Sequence, residues 1–210
     1  DQAIFGWAGA DVNSFIKWQS RNIALTKSER VPSLVQDKAL RIIQRIPFNR
    51  IPKDYLPRDI PGNIYQRYKI NDIDMTKGDW LILTRTKSLW KPIPPFLKRK
   101  GLYFNTVEGN SIGKTLYEDI QTWKELVQGL TPPDIKRQRL EELTGETNFN
   151  IHLSWDQAFK NVALAKRDYM RAMLQNEEDL SKPPRIKVST IHGAKGGEAT
   201  NVVLFLNQTA

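Results

Sequence analysis

The chain contains no cysteine. Disulfides and thiolate metal sites are therefore excluded, and the composition fits a reducing, cytoplasmic compartment. Histidine is almost as scarce. His152 and His192 stand far apart, without ligand spacing, which argues against a histidine-based metal site. No apolar run approaches the ~18 residues of a membrane span, and the first residues lack the charged-then-apolar pattern of a signal peptide. The phosphate-binding spacing G-x-x-x-x-G-K-(S/T) is also missing. The segment NSIGKT (110–115) ends in the right letters, but Glu108 occupies the place of the first glycine.

What is present is an ordinary globular composition, 40% hydrophobic and 26% charged over 210 residues. That suits one large domain, or one domain with an inserted subdomain. The 32 Lys and Arg residues outnumber 23 Asp and Glu, giving a net charge of +9. Such a balance favours an anionic partner, of which nucleic acid is the commonest. The chain opens with DQAIFGW and no initiator methionine, and we read it as a piece of something longer.

Hydrophobic periodicity and breakers organise the chain. Asp11 is placed to cap a short helix over DVNSFIKW (11–18). NIALT (22–26) reads as a strand. Leu34, Val35, Ala39, Ile42, Ile43 and Ile46 fall on a helical period over 31–46, with Pro32 in the opening turn. Four prolines between 47 and 61 predict a loop, and NIYQRYKI (63–70) reads as a strand. GDWLILTRT (78–86) predicts a buried strand. A helix with a proline-rich entry follows, stopped at Gly101 and leading to another strand. Strand–helix–strand alternation predicts a parallel α/β sheet. From Gly113 the pattern turns helical, with helices over 113–130, 134–143 and 155–174. IKVSTI (186–191) and NVVLFL (201–206) return to strand.

Between these last two strands lies HGAKGGEAT, within VSTIHGAKGGEATNVVLF (188–205). In parallel α/β sheets the loop at a strand's carboxyl end is where ligands bind. Glycines there let backbone N–H groups approach phosphates, and a lysine adds charge. The residues alone fit this reading and that of a surface turn equally.

The same stretch resembles motif V of the UvrD/Rep-like superfamily 1 DNA helicases, which runs close to T-x-H-x-A-K-G-L-E-F. DQAIFGWAGAD is similar to their motif III, and LTKSERVPSLVQDKALRII to their motif IV. DWLILTRTKSLWKPIPPFLKRKGLYFNTVEG is similar to the segment where a strand ends in R-T-N and a helix leads to G-I-P-Y. LYEDIQTWKELV resembles the helix after it. The five matches keep the family's order.

The resemblance implies a RecA-like fold of the P-loop NTPase type, a parallel sheet flanked by helices. Residues 1–19 would end a first RecA-like domain of the same parent chain. Residues 20–118 and 184–210 would form the second, and 119–183 a reduced helical insertion. The implied activity is an ATP-driven, 3′→5′ DNA helicase or translocase. Its implied ligands are single-stranded DNA and ATP with Mg2+, the latter held mainly by the first domain. Gln2 matches a glutamine that senses the γ-phosphate, and Arg30 an arginine that reaches it in the manner of an arginine finger. Gly196 and Glu198 match the nucleotide side of motif V. Thr190, His192 and Lys195 lie where the family's loop meets DNA backbone and nucleotide. Phe5 and Trp7 match aromatics that stack on bases. Arg85 matches the R-T-N arginine, a backbone or structural contact.

Departures accompany the matches. Ala8 stands where the family has an arginine, and Glu29 where a tyrosine stacks on adenine. Gly197 and Ala199 replace a leucine and an aromatic. Such drift suits a viral, phage or mobile-element helicase. It also leaves open a non-catalytic nucleic-acid-binding module or a subunit of a nuclease complex. Without the Walker A loop, this chain alone is not expected to hydrolyse ATP.

Overall fold

The computed structural model describes residues 9, 11–17, 26–46 and 55–206. The strand expected over 22–26 lies almost entirely outside them. The chain divides into two compact units, Asp1–Ile73 and Asp74–Ala210.

In the first unit, helix α1 (Val12–Lys17) starts as the sequence predicts. The Asp11 carboxylate accepts from the backbone N–H groups of Asn13 at 2.9 Å and Ser14 at 3.0 Å, which satisfies donors at the helix start. Strand β1 (Lys27–Pro32) pairs in parallel with β2 (Leu56–Arg58). The prolines thus do not keep all of 47–61 out of regular structure. Pro57 sits in a two-stranded sheet, where every strand has a free edge and a missing donor is tolerated. Helix α2 (Ser33–Ile43) follows β1 directly, with Pro32 at its cap rather than within its first turn. Its first N–H groups are satisfied from outside: Ser33 and Leu34 donate to the carbonyls of Ile60 and Pro61, both at 3.1 Å. The helical period is real, but no α2 residue is buried, and Leu34, Val35 and Ile42 remain exposed.

Residues 63–70 do not form the expected strand. A single 3-10 turn occurs at Ile70–Asp72. An alternating strand needs one face to bury, and here Ile64, Tyr65 and Tyr68 are all exposed.

The second unit is α/β, a mixed five-stranded sheet flanked by helices. Its strands are β3 (Trp80–Thr84), β4 (Phe104–Thr106), β5 (Gly109–Asn110), β6 (Ile186–Thr190) and β7 (Asn201–Leu204). The order is β5-β4-β6-β3-β7. β3 pairs in parallel with β6 and with β7, and β4 pairs in parallel with β6. The sheet is therefore not wholly parallel as expected: β5 turns back antiparallel on β4. Two residues between β4 and β5 permit only a hairpin, since a parallel crossover needs a dozen or more. Central β3 is apolar on both faces, with Leu81 and Ile82 buried, as a strand covered on both sides requires. β6 buries Ile186 and Val188 on one face and carries Lys187, exposed, and Ser189 on the other.

Helices α3 (Lys87–Trp90) and α4 (Ile93–Arg99) connect β3 to β4. Gly101 ends α4 with φ +63°, the left-handed stop the sequence predicts. Helices α5 (Lys114–Val127), α6 (Asp134–Thr144), α7 (Trp155–Ala158) and α8 (Leu164–Gln175) fill the stretch between β5 and β6. Their core is built on Trp123, whose ring meets Phe149 and Phe159 edge-on at 5.9 and 5.7 Å. The single helix expected over 155–174 is two helices. The break has a tertiary cause: Asn161 donates through its backbone to Leu143 O at 3.0 Å and through its amide to Glu142 O at 2.8 Å. It thereby satisfies carbonyls at the end of α6, which helical geometry leaves without partners.

Helix α8 is docked on the α4–β4 turn. Tyr169 donates to Leu102 O at 2.6 Å, and Asn176 donates to Lys100 O at 2.7 Å and Gly101 O at 3.0 Å. Burial pushes the Tyr169 hydroxyl's pKa up, so it remains a donor there. A second clamp ties β3 to β6. Arg185, just before β6, pairs with the buried Glu178 at 2.5 Å and donates to Met75 O at 2.6 Å and Gly78 O at 3.1 Å.

Candidate functional site

Because β3 and β6 are adjacent and parallel, in register from Trp80↔Ile186 to Thr84↔Thr190, their carboxyl ends lie side by side. Two sequence segments separated by more than a hundred residues are thus joined at one edge. The first continues from β3 as Arg85, Thr86 and Lys87. The second continues from β6 as Ile191, His192 and the glycine-rich loop.

The join is held by hydrogen bonds. Ile191 N–H donates to Thr84 O at 2.9 Å. Arg85, exposed beyond the strand, places Nη1 3.1 Å from His192 Nδ1 and 3.4 Å from His192 Nε2. Thr84 is fully buried, and its hydroxyl donates to Thr86 O at 2.9 Å, curling the chain away from the sheet.

The loop then folds into a tight turn on Thr190. The Thr190 hydroxyl accepts from Gly193 N–H at 3.1 Å, and its carbonyl accepts from Ala194 N–H at 3.0 Å. A hydroxyl that accepts still has its own hydrogen to donate. Glycine is required at 193 by proximity: a Cβ there would lie 2.9 Å from Ser189 Oγ. Gly196 is required by conformation instead, with φ +81° and open space where a Cβ would sit. Ala194 is buried beneath the turn, while Lys195, Gly196, Gly197 and Glu198 face solvent.

The far end of the loop is fixed at the opposite edge. Thr200 N–H donates to Asp79 Oδ2 at 2.7 Å, and the Asn201 amide donates to Asp79 O at 3.2 Å. Hydrogen bonding from Thr200 holds the Asp79 carboxyl below its ordinary pKa. Residues 191–200 therefore run the length of β3, from the end of β6 to the start of β7, with both ends hydrogen-bonded. Sequence reading missed Asp79. Its signal, an acid just before an apolar strand, is too common to single out.

The structure thus brings together Thr190, His192 and Arg85, with Lys195 exposed on the same loop. From Arg85 to Lys100 the sequence carries six cationic residues and no acidic one; Lys98, Arg99 and Lys100 end α4 and lead to the start of β4, away from this carboxyl edge. Arg30 lies in the other unit. It is exposed on β1, with its backbone N–H 3.4 Å from Ser28 Oγ. Glu29 beside it is also exposed. Gln2, Phe5 and Trp7 lie outside the described residues. Among the described residues no group of three or more His, Asp or Glu is arranged to hold a metal ion, and no helix is long and apolar enough to cross a membrane.

Comparison of the chain with protein-family models, with curated proteins and with solved structures finds no match.

Proposed function

We propose that this chain supplies the second motor domain of an ATP-dependent DNA helicase or translocase of the UvrD/Rep type, acting 3′→5′ on single-stranded DNA. The observation that carries the reading is the Arg85–His192 contact at the carboxyl edge of β3 and β6. The two residues come from two motif-like segments that the sequence assigned separately to DNA. The α/β architecture is compatible with a RecA-like fold, and the ordered sequence resemblance supports the same assignment.

In this reading Thr190, His192, Lys195 and Arg85 face the DNA backbone. Lysine and arginine supply charge, and the Thr190 hydroxyl supplies a donor. The hydrogen-bonded turn sets their positions, so little order has to be gained on binding. Gly196 and Glu198 face the nucleotide, Gln2 senses the γ-phosphate, and Phe5 and Trp7 stack on bases. Arg30 brings positive charge to the γ-phosphate as the bond to the leaving ADP breaks, a contribution worth about 10³–10⁵ in rate for such fingers. ATP with Mg2+ is held mainly by a first RecA-like domain on the same parent chain, because this chain has no Walker A loop.

One observation favours a second reading. Glu29 lies exposed on β1 where the resembled motif stacks an aromatic on adenine, and a carboxylate cannot stack. A nucleic-acid-binding module that keeps the fold without the motor would tolerate that change. The test is ATP hydrolysis by the parent protein with and without single-stranded DNA. Stimulation by DNA supports the motor, and an inactive parent supports the module.

A further inference from the structure

We infer that residues 64–69 form a separate stacking surface for single-stranded DNA, built on Tyr65 and Tyr68 and framed by Arg67 and Lys69. The two rings are 71% and 92% exposed. Exposure of that degree in two large aromatics three residues apart is the feature that needs explaining, because neither ring contributes to a core. A half-buried strand would have hidden one face of this segment; no strand forms, and neither ring is buried.

The cations are interleaved with the rings. Arg67 sits over the Tyr65 ring, its guanidinium carbon 5.3 Å from the centroid, and its Nη1 donates to Gln66 O at 3.1 Å. These two contacts fix the guanidinium beside the aromatic surface. Between Ile60 and Asn71 the sequence carries Arg67 and Lys69 and no acidic residue. The complementary partner has flat apolar faces and regularly spaced negative charge. Unpaired bases on a phosphate backbone meet both conditions, and stacking tolerates any base. Duplex DNA keeps its base faces covered and does not fit. The stacking surface stands independently of the motor reading; that the strand is DNA rests on it.

The experiment is fluorescence anisotropy of labelled oligothymidylate titrated with the purified chain, without ATP. Oligouridylate and a DNA duplex serve as competitors. We expect Tyr65→Ala with Tyr68→Ala to weaken binding about tenfold or more, and Tyr65→Phe with Tyr68→Phe to bind like wild type, since the ring rather than the hydroxyl stacks. Arg67→Ala with Lys69→Ala should flatten the salt dependence by about 0.7 in slope for each phosphate that is no longer neutralised. Failure of the wild-type chain to bind oligothymidylate overturns the inference. So does an alanine pair that binds like wild type, a phenylalanine pair as weak as the alanine pair, or competition by duplex or oligouridylate that exceeds that of single-stranded DNA. Because ATP is absent, an inactive motor in the parent leaves this result standing. Conversely, a DNA-stimulated parent with an unaffected alanine pair sinks this inference alone.

Discussion

Arg85 Nη1 lies 3.1 Å from His192 Nδ1, so the end of β3 is joined through side chains to the loop that follows β6. A guanidinium can only donate, and the imidazole must therefore accept. Nδ1 is the nearer of the two ring nitrogens, 3.1 Å against 3.4 Å for Nε2, which favours a neutral ring that accepts through Nδ1 and carries its hydrogen on Nε2. Nitrogen chemical shifts of the His192 ring should report the Nε2–H tautomer, and Arg85→Ala should shift the ring toward a mixture. A tautomer balance that Arg85→Ala leaves unchanged contradicts the contact. The pair is exposed, so its worth to stability should stay below about 1 kcal/mol.

Gly101 should resist substitution more than any glycine of the 191–200 loop. Its φ is +63°, and a Cβ would lie 2.7 Å from Ala172 Cβ and 2.8 Å from the Ala172 carbonyl carbon. Left-handed strain and overpacking add, and Gly101→Ala should cost about 2–4 kcal/mol in a denaturant titration. Gly196→Ala meets only the conformational term, because nothing lies near its absent Cβ, and should cost about 1–2 kcal/mol. Equal costs would mean that α8 does not press on the α4–β4 turn.

The Arg185–Glu178 clamp gives a second stability test. Glu178 is 8% exposed and Arg185 spans Glu178, Met75 O and Gly78 O. Glu178→Ala leaves the guanidinium without its buried counter-charge and should cost about 3 kcal/mol. Glu178→Gln keeps one acceptor and should cost less. An unchanged unfolding midpoint for the alanine variant would show that the clamp does not hold the entries of β3 and β6.

Asp79 predicts a pH effect confined to the loop. Its pKa is depressed in the folded state by hydrogen bonding from Thr200. A depressed carboxylate stabilises above its unfolded pKa of about 3.9 and loses that contribution as pH falls through the folded value. Amide exchange near Thr200 and Asn201 should therefore quicken, relative to the rest of the sheet, below about pH 4. Asp79→Ala should show the quickened exchange already at neutral pH. The group is exposed, so global stability should change by less than about 1 kcal/mol.

The central strands were legible in the sequence: Trp80–Thr84 is a short apolar run buried on both sides, Ile186–Thr190 alternates buried Ile186 and Val188 with exposed Lys187, and Gly101 marks its helix end by itself. Strand β1 was not legible, because KSERVP has no apolar alternation and becomes a strand only by pairing with Leu56–Arg58. Tyr65 and Tyr68 misled in the other direction, since aromatic residues favour strands only when a neighbour covers them. The break at Phe159–Ala163 depends on carbonyls of α6, which no local pattern encodes. Within the site, the glycines declared a turn, but its anchoring on Thr190 and the Arg85 partnership with His192 are products of the folded chain.

The most direct test of the motor assignment is Arg30→Ala in the parent protein, with ATP hydrolysis measured on saturating single-stranded DNA. We expect DNA-stimulated turnover in the wild type and a loss of about a thousandfold or more in the variant, with DNA binding retained. A variant that hydrolyses ATP at the wild-type rate, with DNA still stimulating it, would contradict the account.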